Sequence, residues 1–245
     1  MSFKNKVVLI TGTNSGFGYL TAKGAAERGH TVYATMRDID GRNAEKAKEL
    51  NAIENVNVIE LDVTNAEGVK KALSGVIDKE GRLDVLVNNA GYFGGGLAET
   101  YTDDDLEKMY DVNVKGTWRT MKSSLPQMRK QGEGLIINTS SGLGRFSAPF
   151  MTVYNSTKFA VEGLTEGLHY EVRPLGVDVV MVQPGAFPTE IFSKVAYGSE
   201  QEVAEGYGEL AKVPEQVGEG MAQMFESMKP NPQMVPDAIF KLIDT

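Results

Sequence analysis

Tyr154 and Lys158, four residues apart, are the side chains in this sequence best suited to moving a proton. A phenol ionises near pH 10, so acting as acid and base at neutral pH needs a fall of about 3 units, roughly 4 kcal/mol. An ammonium about 4 Å away, in an effective dielectric of about 20, supplies about 4 kcal/mol. Spacing i, i+4 puts both groups on one face of a helix. The spacing alone is unspecific, because Tyr19 and Lys23 repeat it in what reads as an ordinary helix-surface pair. Context selects the later pair. Asn138-Thr139-Ser140-Ser141-Gly142 ends an apolar run and sets Ser141 thirteen residues before the tyrosine; a further run ends downstream in Pro184-Gly185, followed by Thr189. Loops at the carboxyl ends of strands are where open α/β sheets bind ligands.

A second constellation sits near the start. Val7-Val8-Leu9-Ile10 runs into Thr11-Gly12-Thr13-Asn14-Ser15-Gly16-Phe17-Gly18 and then into a helical pattern. Glycines at 12, 16 and 18 suit a tight turn whose backbone N–H groups approach a pyrophosphate, with the positive end of the helix behind it.

The elements that must position these groups alternate along the chain. Strands are expected at Val7–Thr11, Thr31–Thr35, Val56–Asp62, Val85–Asn88, Leu135–Thr139 and Val177–Gln183. Most are continuous apolar runs, the pattern of strands buried on both faces of a parallel sheet. Helices are expected at Gly16–Arg28, Arg42–Asn51, Ala66–Glu80, Asp103–Arg129 and Thr152–Val172, with two more at Glu215–Met228 and Pro236–Ile243. The alternation predicts an α/β doubly wound parallel sheet with helices on both faces and right-handed crossovers. No linker or repeat divides the chain, so residues 1–245 read as one dinucleotide-binding catalytic domain. Residues 186–213 hold no clear strand and carry Phe187, Phe192, Tyr197 and Tyr207 among Gly and Glu; a stretch of that kind reads as a substrate loop or lid. Met221, Met224 and Met228 fall at helical spacing and are most simply packing residues.

Composition narrows the chemistry. The chain has 245 residues, a net charge of −8, no cysteine, and only His30 and His169. That excludes disulfide scaffolds, thiolate metal sites and cysteine nucleophiles, and leaves too little histidine for a His-rich metal centre or a conventional Ser-His-Asp triad. No metal is expected. The acidic balance argues against a nucleic-acid partner. No apolar run approaches the roughly 18–20 residues of a membrane span, and no signal-peptide core precedes the first strand-like run, so a cytoplasmic protein with no membrane partner is expected.

The Thr-Gly-x3-Gly-x-Gly spacing resembles the short-chain dehydrogenase/reductase family, in its compact one-domain branch. Other segments match in order: Leu61-Asp62-Val63-Thr64, Asn88-Asn89-Ala90-Gly91, Asp111-Val112-Asn113-Val114-Lys115-Gly116, and the Ser141, Tyr154 and Lys158 neighbourhood, so the likeness runs from residue 5 to about 190. The resemblance implies a Rossmann-type sheet of six or seven strands. The branch commonly closes with an edge strand, whereas here Lys241–Thr245 directly follow a helical patch. It also implies a catalytic tetrad of Asn113, Ser141, Tyr154 and Lys158: Tyr154 as general acid/base, Ser141 on the substrate oxygen, Lys158 on the nicotinamide ribose, and Asn113 positioning a water that leads to Lys158. The cofactor falls to Gly12, Asn14, Ser15, Gly16, Phe17, Gly18, Arg37, Asp62, Val63, Asn89, Ala90, Gly91, Tyr154, Lys158, Pro184, Gly185, Phe187 and Thr189. A homodimer or homotetramer is the implied assembly.

In Val32-Tyr33-Ala34-Thr35-Met36-Arg37-Asp38, Met36 takes the place where an NAD site wants an acid, and Arg37 follows it. That favours NADP(H), with NAD(H) left open by Asp38 and Asp40. The same stretch looks like 17β-hydroxysteroid dehydrogenases and carbonyl reductases. Pocket candidates Tyr92, Phe93, Leu143, Arg145, Phe150, Phe187 and Phe192 are mostly apolar. The expected activity is an NAD(P)(H)-dependent carbonyl reductase or secondary-alcohol dehydrogenase acting on a hydrophobic ketone or alcohol. Two alternatives stand beside it: a 3-oxoacyl thioester reductase, and a non-catalytic nicotinamide-binding regulatory protein.

Overall fold

Six short apolar segments pair into one parallel sheet in the computed structural model, which describes residues 5–245. They are β1 (Val7–Thr11), β2 (Thr31–Met36), β3 (Val56–Glu60), β4 (Val85–Asn88), β5 (Gly134–Thr139) and β6 (Val177–Val182), in the order β3-β2-β1-β4-β5-β6. The order reverses between β1 and β4, which opens a crevice at the carboxyl ends of these strands. Both faces are covered. On one side Val8, Ile10 and Val32 pack with Ala22 and Ala25 of α1 (Gly16–Glu27), Leu50 of α2 (Ala44–Asn51) and Phe240 near the chain's end. On the other, Leu9, Leu86 and Ile136 meet Leu73 of α3 (Ala66–Glu80) and residues of the later helices. That two-sided burial is why the strands lack alternation.

The expected helix 103–129 is not continuous. Thr102 caps α4 (Asp103–Tyr110) reciprocally with Asp105, the chain then widens into a π-helical turn over Asp111–Gly116, and α5 (Thr117–Gln131) follows. The cause is tertiary. Asn113 in the widened turn bonds the backbone of Tyr92 at both ends of its amide, and such π-turns cluster at functional sites. Next, α6 (Thr152–Val172) lies against β6. Beyond β6 come a short 3-10 turn at Glu190–Ser193, a kinked 3-10 segment at Gln201–Lys212, α7 (Val213–Met228) and α8 (Met234–Ile243), which packs on α1. Among the described residues the sheet stops at six strands, and β3 and β6 end one to two residues earlier than the sequence suggests. No helix of the described residues is long and apolar enough to cross a membrane.

A buried polar chain locks the strands that carry the site to the helices above them. Asn88 of β4 donates to Asn138 of β5 (2.9 Å) and accepts from Thr120 of α5 (2.6 Å), and Asn138 donates to Thr165 of α6 (2.9 Å). All four side chains are buried. Asn138→Leu leaves the Asn88 amide without its acceptor, so urea unfolding is expected to show a loss of about 1–3 kcal/mol; a change below about 0.5 kcal/mol would refute this role.

Candidate active site

The glycine loop is fixed by contacts that tolerate no side chain. Gly12 has φ +69°, and a Cβ there would stand 2.8 Å from the Ala90 Cα; one on Gly18 would strike the Gly12 carbonyl. Asn89 spans the turn, its amide donating to the carbonyls of Thr11 and Gly12 at 3.0 Å each, while the Thr11 hydroxyl accepts from the N–H groups of Asn89 and Ala90. Ser15 stands at the N-cap of α1 without capping it, and no acid occupies the first turn. Backbone donors and the positive helix end therefore face the crevice, as a phosphate requires.

That crevice is a cleft of about 400 Å³. Gly12, Asn14, Ser15, Gly16, Phe17, Arg37, Asp62, Val63, Asn89, Ala90, Gly91 and Thr189 all line it, as expected. Gly18 does not; its work is close packing of α1 on the loop, the usual duty of the third glycine. Four polar residues escaped the sequence reading: Arg42, Asn43, Glu190 and Lys194 also border the cleft. Arg42 is delivered by a left-handed turn at Asp38 (φ +51°), whose carboxylate accepts from the Arg42 N–H. Arg37 reaches the Asp62 carboxylate at 3.9 Å with both groups substantially exposed. The fit to a dinucleotide is good: a phosphate cradle closed to any Cβ at one end, two guanidinium groups at the other.

Tyr154, Lys158, Ser141, Pro184, Gly185, Phe187, Leu143, Phe93 and Phe192 surround an adjoining chamber of about 410 Å³, mostly apolar. Phe17, Asn89, Gly91, Tyr92, Thr189 and Ile191 border both spaces, so the two are continuous. Two pocket candidates do not line this chamber. Arg145 lines neither space: its guanidinium is exposed and pairs with the buried Glu162 carboxylate at 3.0 Å, drawn there by charge. Phe150 has φ +60° and borders a smaller adjoining cavity, which shares Phe93, Met151 and Phe192 with the chamber. Conversely, Val217, Met221 and Met224 of α7 reach into the chamber. Met221 and Met224 belong to the helical stripe read from the sequence; its third member, Met228, is exposed and packs against nothing there.

Around the tyrosine the geometry is tight. Tyr154 is buried, with Phe93 edge-on at 4.8 Å between ring centroids. Ser141 caps the short turn after β5 by accepting from the Leu143 N–H (3.1 Å), which aims its hydroxyl, and it hydrogen-bonds the Tyr154 hydroxyl. The Lys158 ammonium donates to the Thr139 carbonyl at 3.0 Å and lies 5.6 Å from the centre of the Tyr154 ring. Burial pushes the Tyr154 phenol well above its ordinary value, and the Ser141 hydrogen bond only partly offsets this. Burial likewise pushes the Lys158 ammonium down to about 8, with the Glu162 carboxylate pulling the other way. The sequence argument had the ammonium lowering the phenol; here desolvation and the Ser141 hydrogen bond are what act on it, desolvation prevails, and the phenol is protonated at neutral pH. Asn113 also differs from expectation. Its oxygen accepts from the Tyr92 N–H (3.0 Å), and its amide donates to the Tyr92 carbonyl (3.0 Å) and the Thr157 hydroxyl (3.3 Å). Both amide hydrogens are used, so the side chain positions Tyr92 and Thr157, next to Lys158, and a water could meet Asn113 only by donating to one of its oxygens.

Known proteins resemble this arrangement. The family model described as short chain dehydrogenase matches residues 6–199. The 3-ketodihydrosphingosine reductase of Bacteroides thetaiotaomicron is 41% identical over 184 residues, 75% of this chain and 65% of that protein. Among solved structures, ElxO with NADP bound is 34% identical, covers 85% of this chain and 92% of its own, and has a TM-score of 0.72. A short chain dehydrogenase/reductase from Burkholderia phymatum in complex with NAD is 28% identical, covers 99% of this chain and 87% of its own, and has a TM-score of 0.83.

The buried ammonium makes a stability prediction with a definite sign. A lysine whose folded pKa (about 8) lies below its unfolded one (10.5) holds fewer protons folded than unfolded between those values. Its cost to folding is complete below pH 8 and disappears as pH rises from 8 to 10.5. Lys158→Met is therefore expected to gain on the wild type at pH 7 by ~3 kcal/mol more than at pH 10.5. A difference between the two proteins that is constant with pH, measured by urea unfolding, would contradict a desolvated Lys158.

Proposed function

Because the chain belongs to the short-chain dehydrogenase family, we propose that it is an NAD(P)(H)-dependent reductase of hydrophobic ketones, running in reverse as a secondary-alcohol dehydrogenase. One observation carries the reading: Ser141, Tyr154 and Lys158 border a single apolar chamber that opens into the cleft beside the glycine loop. Bound in that cleft, a nicotinamide cofactor supplies or accepts the hydride. The protein does the rest. Ser141 orients the substrate carbonyl by hydrogen bonding to its oxygen. Tyr154, protonated at neutral pH, gives its proton to that oxygen as the hydride reaches carbon, yielding the alcohol; solvent restores the proton. Lys158 holds positive charge beside the phenolate formed in that step, and Asn113 keeps the neighbouring backbone in place. Phe93, Phe187, Phe192, Met221 and Met224 exclude water from the chamber.

Within the family the cofactor reading is NADP(H) ahead of NAD(H). Arg37 and Arg42 border the cleft, and the buried Met36 stands where an acid would hold a ribose hydroxyl. Relatives and neighbours take different partners, so substrate and cofactor are argued here from this chain's own residues. Among the described residues, Lys158 is the one basic group lining the chamber, which speaks against the charged carrier of a 3-oxoacyl thioester. The joint presence of Ser141, Tyr154 and Lys158 speaks against a silent cofactor sensor. Residues 186–213 would act as the lid: Ala196 is bonded to Phe93 and Gly95, and Ser199 to Asp105, so the segment is fastened at its middle over the chamber. Exposed Trp118 of α5 and Phe159 of α6 are the surface on which a homodimer or homotetramer would form.

Tyr154→Phe is expected to lower ketone reduction at least a hundredfold while leaving cofactor affinity within about threefold; undiminished turnover would sink the general-acid role. Replacing Arg37 and Arg42 by Ala together is expected to weaken NADPH binding about tenfold or more, roughly 1.4 kcal/mol, with NADH binding little changed. Equal weakening of both cofactors, measured by fluorescence titration, would overturn the NADP(H) preference.

A further inference from the structure

We infer that the physiological substrate is a ketone bearing an uncharged, unbranched alkyl arm, and that the arm lies in a second cavity bordered by α7. The inference rests on the reductase reading above and narrows its substrate class. The second cavity has a volume of about 170 Å³ and shares Phe93, Met151, Phe192, Val217 and Met221 with the chamber around Tyr154. Rings connect the two. Phe93 stands 4.8 Å from Tyr154, Phe192 5.3 Å from Phe93, and Phe225 of α7 5.3 Å from Phe192, centroid to centroid. A group attached to a carbonyl at Tyr154 and extended along this run of rings enters the annex.

The chemistry of the walls sets the chemistry of the arm. No charged side chain borders the annex. Backbone groups around it are already bonded: Gly96 N–H donates to the Phe150 carbonyl (2.8 Å), Gly95 N–H to the Ala196 carbonyl (3.0 Å), and the Gly95 carbonyl accepts from the Tyr101 hydroxyl (2.9 Å). Apart from the Tyr197 hydroxyl, the walls offer a polar occupant little in return for its water, whereas methylenes gain by leaving water. At about 170 Å³ the annex falls below the roughly 300 Å³ at which independent ligand pockets begin. It is therefore an extension of the chamber, sized for one arm of a substrate.

Gly218 of α7 borders the annex, and a Cβ added there would meet nothing within 4 Å. A glycine inside a helix costs about 1 kcal/mol relative to alanine, and the open space beside Gly218 leaves room for a larger side chain.

The test is a series of methyl ketones lengthened two carbons at a time, reduced by the full chain with NADPH. The expected kcat/KM rises about fourfold per added methylene, equivalent to about 0.8 kcal/mol, and levels off once the annex is filled. Gly218→Leu is expected to bring the plateau to a shorter arm, with a loss that grows with length and reaches at least tenfold for the longest ketone. Phe225→Ala, which enlarges the annex, is expected to move the plateau to a longer arm, and it decides the matter alone if the leucine variant does not fold. Calorimetric affinities of the matching secondary alcohols, read without turnover, are expected to follow the same order. Rates independent of arm length, or variants that scale every length alike, would overturn the assignment of the arm. Absence of turnover with every ketone and alcohol and either cofactor would instead overturn the reductase reading beneath it.

Discussion

The constraint on which the site depends is an ammonium taken out of water. Lys158 is buried on α6, and one of its three N–H donors is taken within the protein by the Thr139 carbonyl at the end of β5. A buried cation is costly unless its donors are satisfied, so this contact holds helix and strand at a fixed distance. Ser141, two residues beyond Thr139, and Tyr154, one turn before Lys158, inherit their relative position from it. Glu162, one turn further along α6, is buried against Arg145 and Gln183 and moderates the cost electrostatically. The Asn88–Asn138–Thr165 chain braces the same strand and helix from below.

This arrangement also fixes the protonation state from which chemistry begins. Desolvation acts in opposite senses on an acid and a base, holding the proton on the Tyr154 phenol and loosening it on the Lys158 ammonium. The phenol is thus ready to donate when a carbonyl oxygen gains negative charge, and the ammonium, while it keeps its proton, stabilises the phenolate left behind. Alcohol oxidation starts from the other side of that transfer and must first remove the phenolic proton.

What was legible in the sequence is what local sterics or short spacing dictates. The Gly12 turn admits no Cβ, the parallel strands are apolar throughout, and Tyr154 and Lys158 share a helix face. Features set by contacts distant in sequence were not legible. The widened turn at Asp111–Gly116 contains no helix breaker before Gly116; it exists because Asn113 is bonded to the backbone of Tyr92, 21 residues earlier. Arg42 reaches the cleft only because Asp38 adopts a left-handed conformation. Arg145 looked like a pocket residue by its place after Ser141, but a buried carboxylate on the next helix claims it. Met221 and Met224 of α7 turned out to wall the chamber while Met228 is exposed, since the course of α7 is set by contacts distant in sequence such as the fastening of residues 196–199 to the loop after β4 and to Asp105.

The most direct test of the account is the pH dependence of kcat/KM for ketone reduction, which reports the ionisations of the protein before substrate binds. With the phenol protonated throughout and the ammonium titrating near 8, the rate should be level below that pH and decline above it. A reduction rate that climbs as pH passes through 8 would mean that the working form is the deprotonated pair, and the buried-ammonium account of this site would be wrong.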